Sequence, residues 1–163
     1  MNQPSLNELS ALLKSSTKII FLCIGNELRG DDYFGIYLGK KLKRTLVREK
    51  VVLAYNTPED YIEDILEKEP EIVVFVDAVH ANLERGTIVL REMSVESPLS
   101  MAVSTHSISL ETLTVMIALI CSRKPRFFLL GVQIGHLEFG EKMSKEVVNA
   151  SKILLKFFKD PQF

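Results

Sequence analysis

The chain has 163 residues, of which 47% are hydrophobic and 25% are charged, a length and balance typical of one compact globular domain. The formal net charge of −1 gives no indication of a nucleic-acid or membrane-surface partner. Apolar runs such as IIFLCIG and VMIALIC are far shorter than the roughly 20 residues that a bilayer span requires. We therefore interpret residues 1–163 as a single domain without a membrane span.

Predicted strands and helices alternate along the chain. Apolar, β-branched segments predict strands at residues 18–24, 50–55, 71–78 and 126–133, and a further strand within residues 84–93. Helical spacing and capping residues predict helices from Phe34, after Thr57, over residues 108–121 and after Ser144. This alternation predicts an α/β three-layer sandwich, with an open, mostly parallel, twisted sheet of about five strands and helices on both faces.

The two cysteines, Cys23 and Cys121, both lie inside apolar runs. We interpret them as buried core thiols, because free cysteine behaves as a small hydrophobe. The N-terminal segment MNQPSLNELSALLKSSTK lacks the basic and apolar regions of a secretory signal. These features predict a cytoplasmic protein without a disulfide.

Polar residues at strand ends are the candidate functional residues. Sheets of this class bind ligands in the crevice beyond the carboxyl ends of their strands. Asp31 and Asp32 follow the first predicted strand, Asp77 ends the third, and Gln133 ends the last. His106 precedes the long apolar helix, so its loop can fold over the same crevice. The candidate set for chemistry is Asp31, Asp32, Asp77 and His106.

Several common sites are excluded by their motifs. The segment GNELRG has glycines five apart, but no Lys-Ser or Lys-Thr pair follows, and two aspartates would repel a phosphate. The dinucleotide pattern GxGxxG and the nucleophile elbow GxSxG are both absent. A phosphate loop and a serine nucleophile are therefore not expected.

Each candidate also has a purely structural interpretation. Asp31 or Asp32 can cap a helix, Asp77 can be a turn residue, and His106 can be an ordinary loop histidine. We interpret His80 and His136 as surface residues. Taken together, Asp32, Asp77 and His106 predict a three-ligand metal site with open positions, which suits nickel, zinc, iron or manganese.

The stretch IGNELRGDDYFG resembles the GxGNxLxxDDGxG opening of the [NiFe]-hydrogenase maturation endopeptidases, in particular the hydrogenase-3 (formate-hydrogenlyase) type. The resemblance continues through VFVDAVH, STHSISL and LLGVQIGHLEFGEKMSKEV, and so covers roughly residues 18–158. The order and spacing of these four motifs together are more specific than any one of them.

The resemblance implies an endopeptidase that removes a C-terminal extension from the large-subunit precursor of a [NiFe] hydrogenase after nickel insertion. It implies that Asp32, Asp77 and His106 contact that nickel and are the catalytic residues. It also implies that the nickel arrives with the precursor and that the enzyme holds no permanent cofactor. We expect the enzyme to be a monomer, of the aspartic, nickel-dependent type.

The sequence departs from the family pattern at three places. The family often has an Asp-Gly-Gly-Thr or Asp-Gly-Gly-Ser turn after the second strand, where this chain reads LAYNTPED. Ile134 replaces a usual proline, and Tyr33 replaces the glycine that often follows the aspartate pair. The first difference concerns the shape of the substrate groove, whereas the three proposed nickel contacts are intact.

The roles of the two adjacent aspartates are expected to differ. We predict that Asp31 caps the helix and fixes the turn, which leaves the Asp32 carboxylate to face the crevice. The metal can polarise the scissile carbonyl or activate water, or an aspartate can act as general base. Residues 93–107, a Met-, Ser- and Pro-containing stretch without clear periodicity, are predicted to form a mobile lid.

Two other functions are compatible with the same residues. One is an independent metallohydrolase that holds its own zinc or manganese in Asp32, Asp77 and His106. The other is a non-enzymatic nickel-binding accessory protein that docks on the hydrogenase.

Overall fold

The structure, a computed structural model, describes residues 3–45, 47–95 and 108–160. Five strands and five α-helices follow one another in this part of the chain, with short 3₁₀ turns at residues 30–33, 48–50 and 58–61. The elements are α1 (Gln3–Ser15), β1 (Ile19–Ile24), α2 (Phe34–Leu42), β2 (Val51–Tyr55), α3 (Ile62–Glu67), β3 (Ile72–Val79), β4 (Ile88–Met93), α4 (Leu110–Ile120), β5 (Arg126–Gln133) and α5 (Lys145–Phe158).

The five strands form one sheet in the order β2-β1-β3-β5-β4. Strands β1, β2, β3 and β5 are parallel, and β4 pairs antiparallel with β5 at one edge. The carboxyl ends of the four parallel strands therefore meet at the same side of the sheet, which we call the carboxyl edge. The first residue of β4, Ile88, lies opposite Val132 and so is also close to that edge.

Helices cover both faces of the sheet. The first hydrophobic core joins one sheet face to α1, α2 and α5, and the second joins the other face to α3 and α4. Strand β1 contributes to both, because alternate residues of a strand point to opposite faces: Phe21 and Cys23 lie in the first core, Leu22 and Ile24 in the second. A strand buried on both faces explains why IIFLCI is apolar throughout.

The predicted architecture is confirmed: an open, mostly parallel five-stranded sheet between two helical layers. The strand predicted at residues 126–133 has the observed bounds, and the others differ by one or a few residues. Helix α1 was not predicted, although its buried Leu9 and Leu12 and half-buried Leu6 and Leu13 have helical spacing.

Among the described residues, no helix is both long and apolar enough to cross a membrane.

Candidate functional site

Three buried carboxylates lie at the carboxyl edge of the sheet, and two of them, Asp77 and Asp32, are candidates for chemistry. Asp77 is near the end of the central strand β3, is 1% exposed, and accepts a hydrogen bond at Oδ1 from the backbone N–H of Ala78 at 2.8 Å. Asp32 lies in the 3₁₀ turn after β1, the strand next to β3, and is 2% exposed. Aspartate is seldom fully buried, so Asp77 near the end of β3 and Asp32 in the turn after β1 mark this edge as the candidate site.

Close packing at Gly35 brings the segment that carries Asp32 onto the ends of these strands. A Cβ atom at Gly35 would collide with the carbonyl oxygens of Ile24 in β1 and Val76 in β3. The start of α2 therefore rests directly on the ends of both strands, with no side chain between. Only glycine permits this approach, and Asp32, three residues earlier, is thereby held close to the end of β3.

Asp31 has a different role from the one predicted. Neither the 3₁₀ turn nor α2 has a side-chain cap, so the prediction that Asp31 caps a helix is wrong. Its carboxylate, 0% exposed, instead accepts hydrogen bonds from Gly135 N at 2.6 Å, His136 N at 3.1 Å and Ser144 N at 2.6 Å. A fourth hydrogen bond comes from the Ser144 hydroxyl at 3.0 Å, so all the partners lie in the segment between β5 and α5.

The loop after β1 and the loop after β5 are joined at further points. The backbone N–H of Asp31 donates to His136 O at 3.1 Å, and that of Gly140 donates to Leu28 O at 2.9 Å. The Arg29 guanidinium donates from Nε to Leu137 O at 3.1 Å. These bonds fix the backbone on one side of Asp32 without using the Asp32 side chain.

Gln133, at the end of β5, holds a second loop at this edge. Its side chain is 3% exposed, and Oε1 accepts hydrogen bonds from Ala81 N at 2.8 Å and Leu83 N at 3.2 Å. Its Nε2 donates to Ile134 O at 3.0 Å. Every one of these contacts is to backbone, so this strand-end residue positions the loop between β3 and β4.

The two described histidines differ from each other. His80 is exposed, as predicted, but His136 is half-buried, so its interpretation as a surface residue is wrong. Its backbone is held by Asp31, and its ring packs on Gly30, where a Cβ atom would lie 2.7 Å from Nδ1. Nδ1 is buried and makes no hydrogen bond with the part of the chain that the structure describes. The His136 ring therefore packs against the turn that contains Asp32.

His106 lies outside the described residues, as does most of the predicted lid at residues 93–107, of which only 93–95 are described. The three-residue set of Asp32, Asp77 and His106 thus remains a prediction. Within the described part of the chain, no three His, Cys, Asp or Glu side chains form a group that could hold a metal ion.

Cys23 is not suited to act as a nucleophile. It lies inside β1, is 0% exposed, and burial raises the pKa of its thiol far above the ordinary value, against a weaker opposing effect of Lys43. The thiolate, which is the reactive form, is thus disfavoured at neutral pH. Cys121 is half-buried at the end of α4, where burial also raises its thiol pKa.

Comparison with known proteins connects this geometry to a family. The family model described as hydrogenase maturation protease (HycI) matches residues 36–158, more than half of the chain. The chain belongs to the hydrogenase maturation protease family. The match begins just after the two aspartates and extends through β3, β5 and α5.

Individual members of the hydrogenase maturation protease family agree with this assignment. A putative hydrogenase maturation protease of Methanocaldococcus jannaschii is 27% identical over 137 residues, which is 78% of each chain. The crystal structure of the [NiFe] hydrogenase maturation protease HycI from Thermococcus kodakarensis superimposes with a TM-score of 0.77 at 28% identity, covering 94% of this chain and 99% of that one.

The solution structure of the endopeptidase HycI from Escherichia coli has a TM-score of 0.69 at 23% identity, covering 88% of this chain and 90% of that one. At 23% identity, this comparison shows a shared fold and no more. Together with the family match, these structures confirm the predicted family and the α/β sandwich, whereas the hydrogenase-3 type is not distinguished from its neighbours.

Proposed function

We propose that this maturation protease is a cytoplasmic, monomeric endopeptidase that removes the C-terminal extension from the nickel-loaded large-subunit precursor of a [NiFe] hydrogenase. Membership of the family supports the substrate class. The observation that supports this site is a pair of buried carboxylates at the carboxyl edge of the sheet: Asp77 lies near the end of β3, and Asp32 lies in the turn after the adjacent parallel strand β1. That is where open α/β sheets bind their ligands.

Asp32, Asp77 and His106 are proposed to contact the nickel ion of the precursor. Two carboxylates and one imidazole are an acceptable donor set for nickel, but without a thiolate they form a weak site for an ion that also accepts soft ligands. An ion already held by the precursor needs only the remaining contacts from the protease. Nickel is therefore part of the substrate in this proposal, and the protease needs no metal of its own.

The proposed chemistry is hydrolysis of one peptide bond. Water attacks the scissile carbonyl carbon, an aspartate carboxylate accepts the water proton, and the nickel ion stabilises the negative charge on the carbonyl oxygen. The C–N bond then breaks and the proton passes to the leaving amine. The high pKa of Cys23 and its place inside β1 support an attack by water rather than by a thiolate.

The test compares nickel-loaded and nickel-free large-subunit precursor, each incubated with the purified protease and followed by the mobility shift of the large subunit on a gel. We expect cleavage of the loaded precursor and little or none of the nickel-free one. Equal cleavage of both would remove nickel from the recognition step. Binding of the loaded precursor without cleavage would instead indicate a nickel-binding accessory protein.

Metal analysis of the purified protease distinguishes the remaining alternative. We expect no tightly bound metal. A stoichiometric zinc or manganese ion, lost together with activity on chelation, would identify an independent metallohydrolase.

A further inference from the structure

A small apolar cavity opens near Asp77 on the face of the sheet that α3 and α4 partly cover. Its volume is about 240 Å³, and it lies between the end of β3, the middle of β5, the edge strand β4 and the loop after β3. Its lining includes Val79, Ala81, Leu83, Val89, Arg91 and Leu129. Among the described residues, Arg91 is the only charged residue of the lining.

The register of the sheet relates this cavity to Asp77. Asp77 lies opposite Gly131 of β5, and Gly131 lies opposite Val89 of β4. Directly opposed residues point to the same face, and so does Val79, two residues after Asp77. Two strand spacings are about 10 Å, so the cavity begins within that distance of the Asp77 side chain.

The Val79 side chain occupies space that Gly131, which has no side chain, leaves open. A Cβ atom at Gly131 would lie 2.6 Å from Val79 Cγ1 and 3.1 Å from Val79 Cγ2. Val79 therefore leans over the position that a side chain of β5 would otherwise occupy. Val79, Val89 and Leu129 all line the apolar cavity.

The mouth of the cavity is held in place by Gln133. The backbone N–H groups of Ala81 and Leu83 both donate to Gln133 Oε1, at 2.8 Å and 3.2 Å. The Leu83 side chain is 48% exposed, so the mouth opens to solvent. A cavity with a fixed mouth needs little ordering when a ligand enters, and this favours binding.

The size and lining of the cavity indicate the kind of group it receives. Drug-sized ligands occupy about 300–1,000 Å³, so this cavity is too small for one. An apolar lining favours an aliphatic side chain. Successive residues of an extended peptide rise about 3.4 Å, so 10 Å corresponds to about three residues.

We propose that this cavity is the subsite that receives one aliphatic side chain of the precursor, within about three residues of the scissile bond. The proposal rests on the proposed function, in which Asp77 acts at that bond. It assigns Val79, Ala81, Leu83 and Val89 to sequence selection, separate from the contacts to nickel. An aliphatic residue buried here fixes the peptide register relative to Asp32 and Asp77.

The first experiment closes the cavity with Ala81→Phe, whose matched control is Ala118→Phe, another half-buried alanine, on α4. Both variants are compared with the unmodified protease on nickel-loaded precursor. Thermal melts first establish that all three proteins are folded at the assay temperature. We expect Ala81→Phe to lower kcat/KM at least 10-fold, in the range that an aliphatic pocket contributes, and Ala118→Phe to lower it less than 3-fold. Equal rates for the two variants overturn the subsite.

The second experiment uses the precursor and remains informative if Ala81→Phe does not fold. Each of the three residues on either side of the scissile bond is replaced by alanine and by tryptophan. One position should show at least a 10-fold loss with either replacement, and Leu83→Ala, which widens the mouth, should restore cleavage of the tryptophan precursor there. A flat profile, or no rescue by Leu83→Ala, overturns the subsite.

Failure of the proposed function gives a different result. In that case the unmodified protease leaves the unmodified nickel-loaded precursor intact, and the subsite proposal falls with it. Cleavage of that precursor together with a flat substitution profile refutes the subsite alone.

Discussion

Asp31 accepts both hydrogen bonds that Ser144 can donate: the backbone N–H at 2.6 Å to Oδ1 and the hydroxyl at 3.0 Å to Oδ2. Ser144 is the N-cap residue of α5, yet its hydroxyl makes no cap bond within its own helix. The first buried carboxylate of the acidic pair thus anchors the start of the last helix. The adjacent Asp32 takes no part in the four bonds of the Asp31 side chain.

Asp31→Asn is expected to destabilise the fold, because the amide offers one acceptor oxygen where the carboxylate offers two. At least one of the backbone N–H groups of Gly135, His136 and Ser144 then faces an NH₂ group. A buried donor left without an acceptor costs about 1–3 kcal/mol, so the free energy of unfolding of Asp31→Asn should fall by about that amount. Urea denaturation of the variant and the unmodified protein measures this difference. Ser144→Ala, which removes the hydroxyl bond alone, should cost only about 0.5–1.5 kcal/mol. An unchanged free energy of unfolding in Asp31→Asn would show that the four hydrogen bonds contribute little to stability.

Asp32→Asn, Asp77→Asn and His106→Ala are each expected to abolish processing of nickel-loaded precursor while the protein stays folded. The physical reason is loss of an anionic or imidazole contact to the ion, with side-chain shape nearly retained in the two Asn variants. Gel-shift assays give the activity, and far-UV circular dichroism with a thermal melt gives the fold. Full processing by Asp32→Asn, with activity lost in a well-folded Asp31→Asn, would reverse the roles assigned to the pair.

Gly35→Ala is expected to disrupt the fold severely, because the new methyl group would meet the carbonyl oxygens of Ile24 and Val76, which are fixed in neighbouring strands. The matched control is Gly39→Ala in the same helix, where the methyl group would meet side-chain atoms of Leu53 and Cys23 at 2.6–2.9 Å. Side chains can rotate away more easily than strand backbone, and alanine favours the helix by about 1 kcal/mol over glycine. Thermal melts should show the larger loss for Gly35→Ala, and the reverse order would contradict the packing described at the strand ends.

Thiol labelling should separate the two cysteines. Cys23 is fully buried with a raised pKa, whereas Cys121 is half-buried at the end of α4. Native protein at pH 8 is expected to react with a thiol reagent at Cys121 first, and at Cys23 only at the rate of global opening. Cys121→Ser serves as the control, in which native labelling should fall close to zero. Rapid labelling of Cys23 in that variant would contradict its burial.

The raised pKa of Cys23 also predicts a dependence of stability on pH. Folding favours the neutral thiol, so this contribution is complete below the pKa of the unfolded thiol, about 8.5, and is lost as the pH rises above it. The loss should approach about 1.4 kcal/mol per pH unit. Urea denaturation at pH 7 and pH 10 should therefore show a steeper decline for the unmodified chain than for Cys23→Ala. Parallel declines would show that the thiol ionises equally in both states.

The strands could be predicted because their signal is local. A run such as IIFLCI is buried on both faces, and its apolar composition shows this without knowledge of its neighbours. The position of Asp77 at the end of β3 followed from the same pattern together with the rule for ligand sites in parallel sheets. Helix α1 carried a comparable signal in the spacing of Leu6, Leu9 and Leu12 but was not predicted.

The role of Asp31 could not be predicted, because its partners are 104 to 113 residues further along the chain. Local rules suggest a cap wherever an aspartate precedes a helix, and they contain no information about the loop after β5. The same holds for Gln133, whose acceptor oxygen serves backbone groups 50 and 52 residues earlier. Such contacts depend on strand order, which a single sequence does not state.

The long separation between Asp31 and its partners has a consequence for folding during synthesis. A nascent chain that has emerged only as far as β3 already carries Asp32 and Asp77, but not Gly135, His136 or Ser144. Loop closure over more than a hundred residues carries a larger entropic cost than local contacts, so the hydrogen bonds of the Asp31 side chain form only after β5 has joined the sheet. The two carboxylates of the candidate site are thus synthesised early, whereas the anchor that Asp31 provides beside them forms late, after the segment up to Ser144 has left the ribosome.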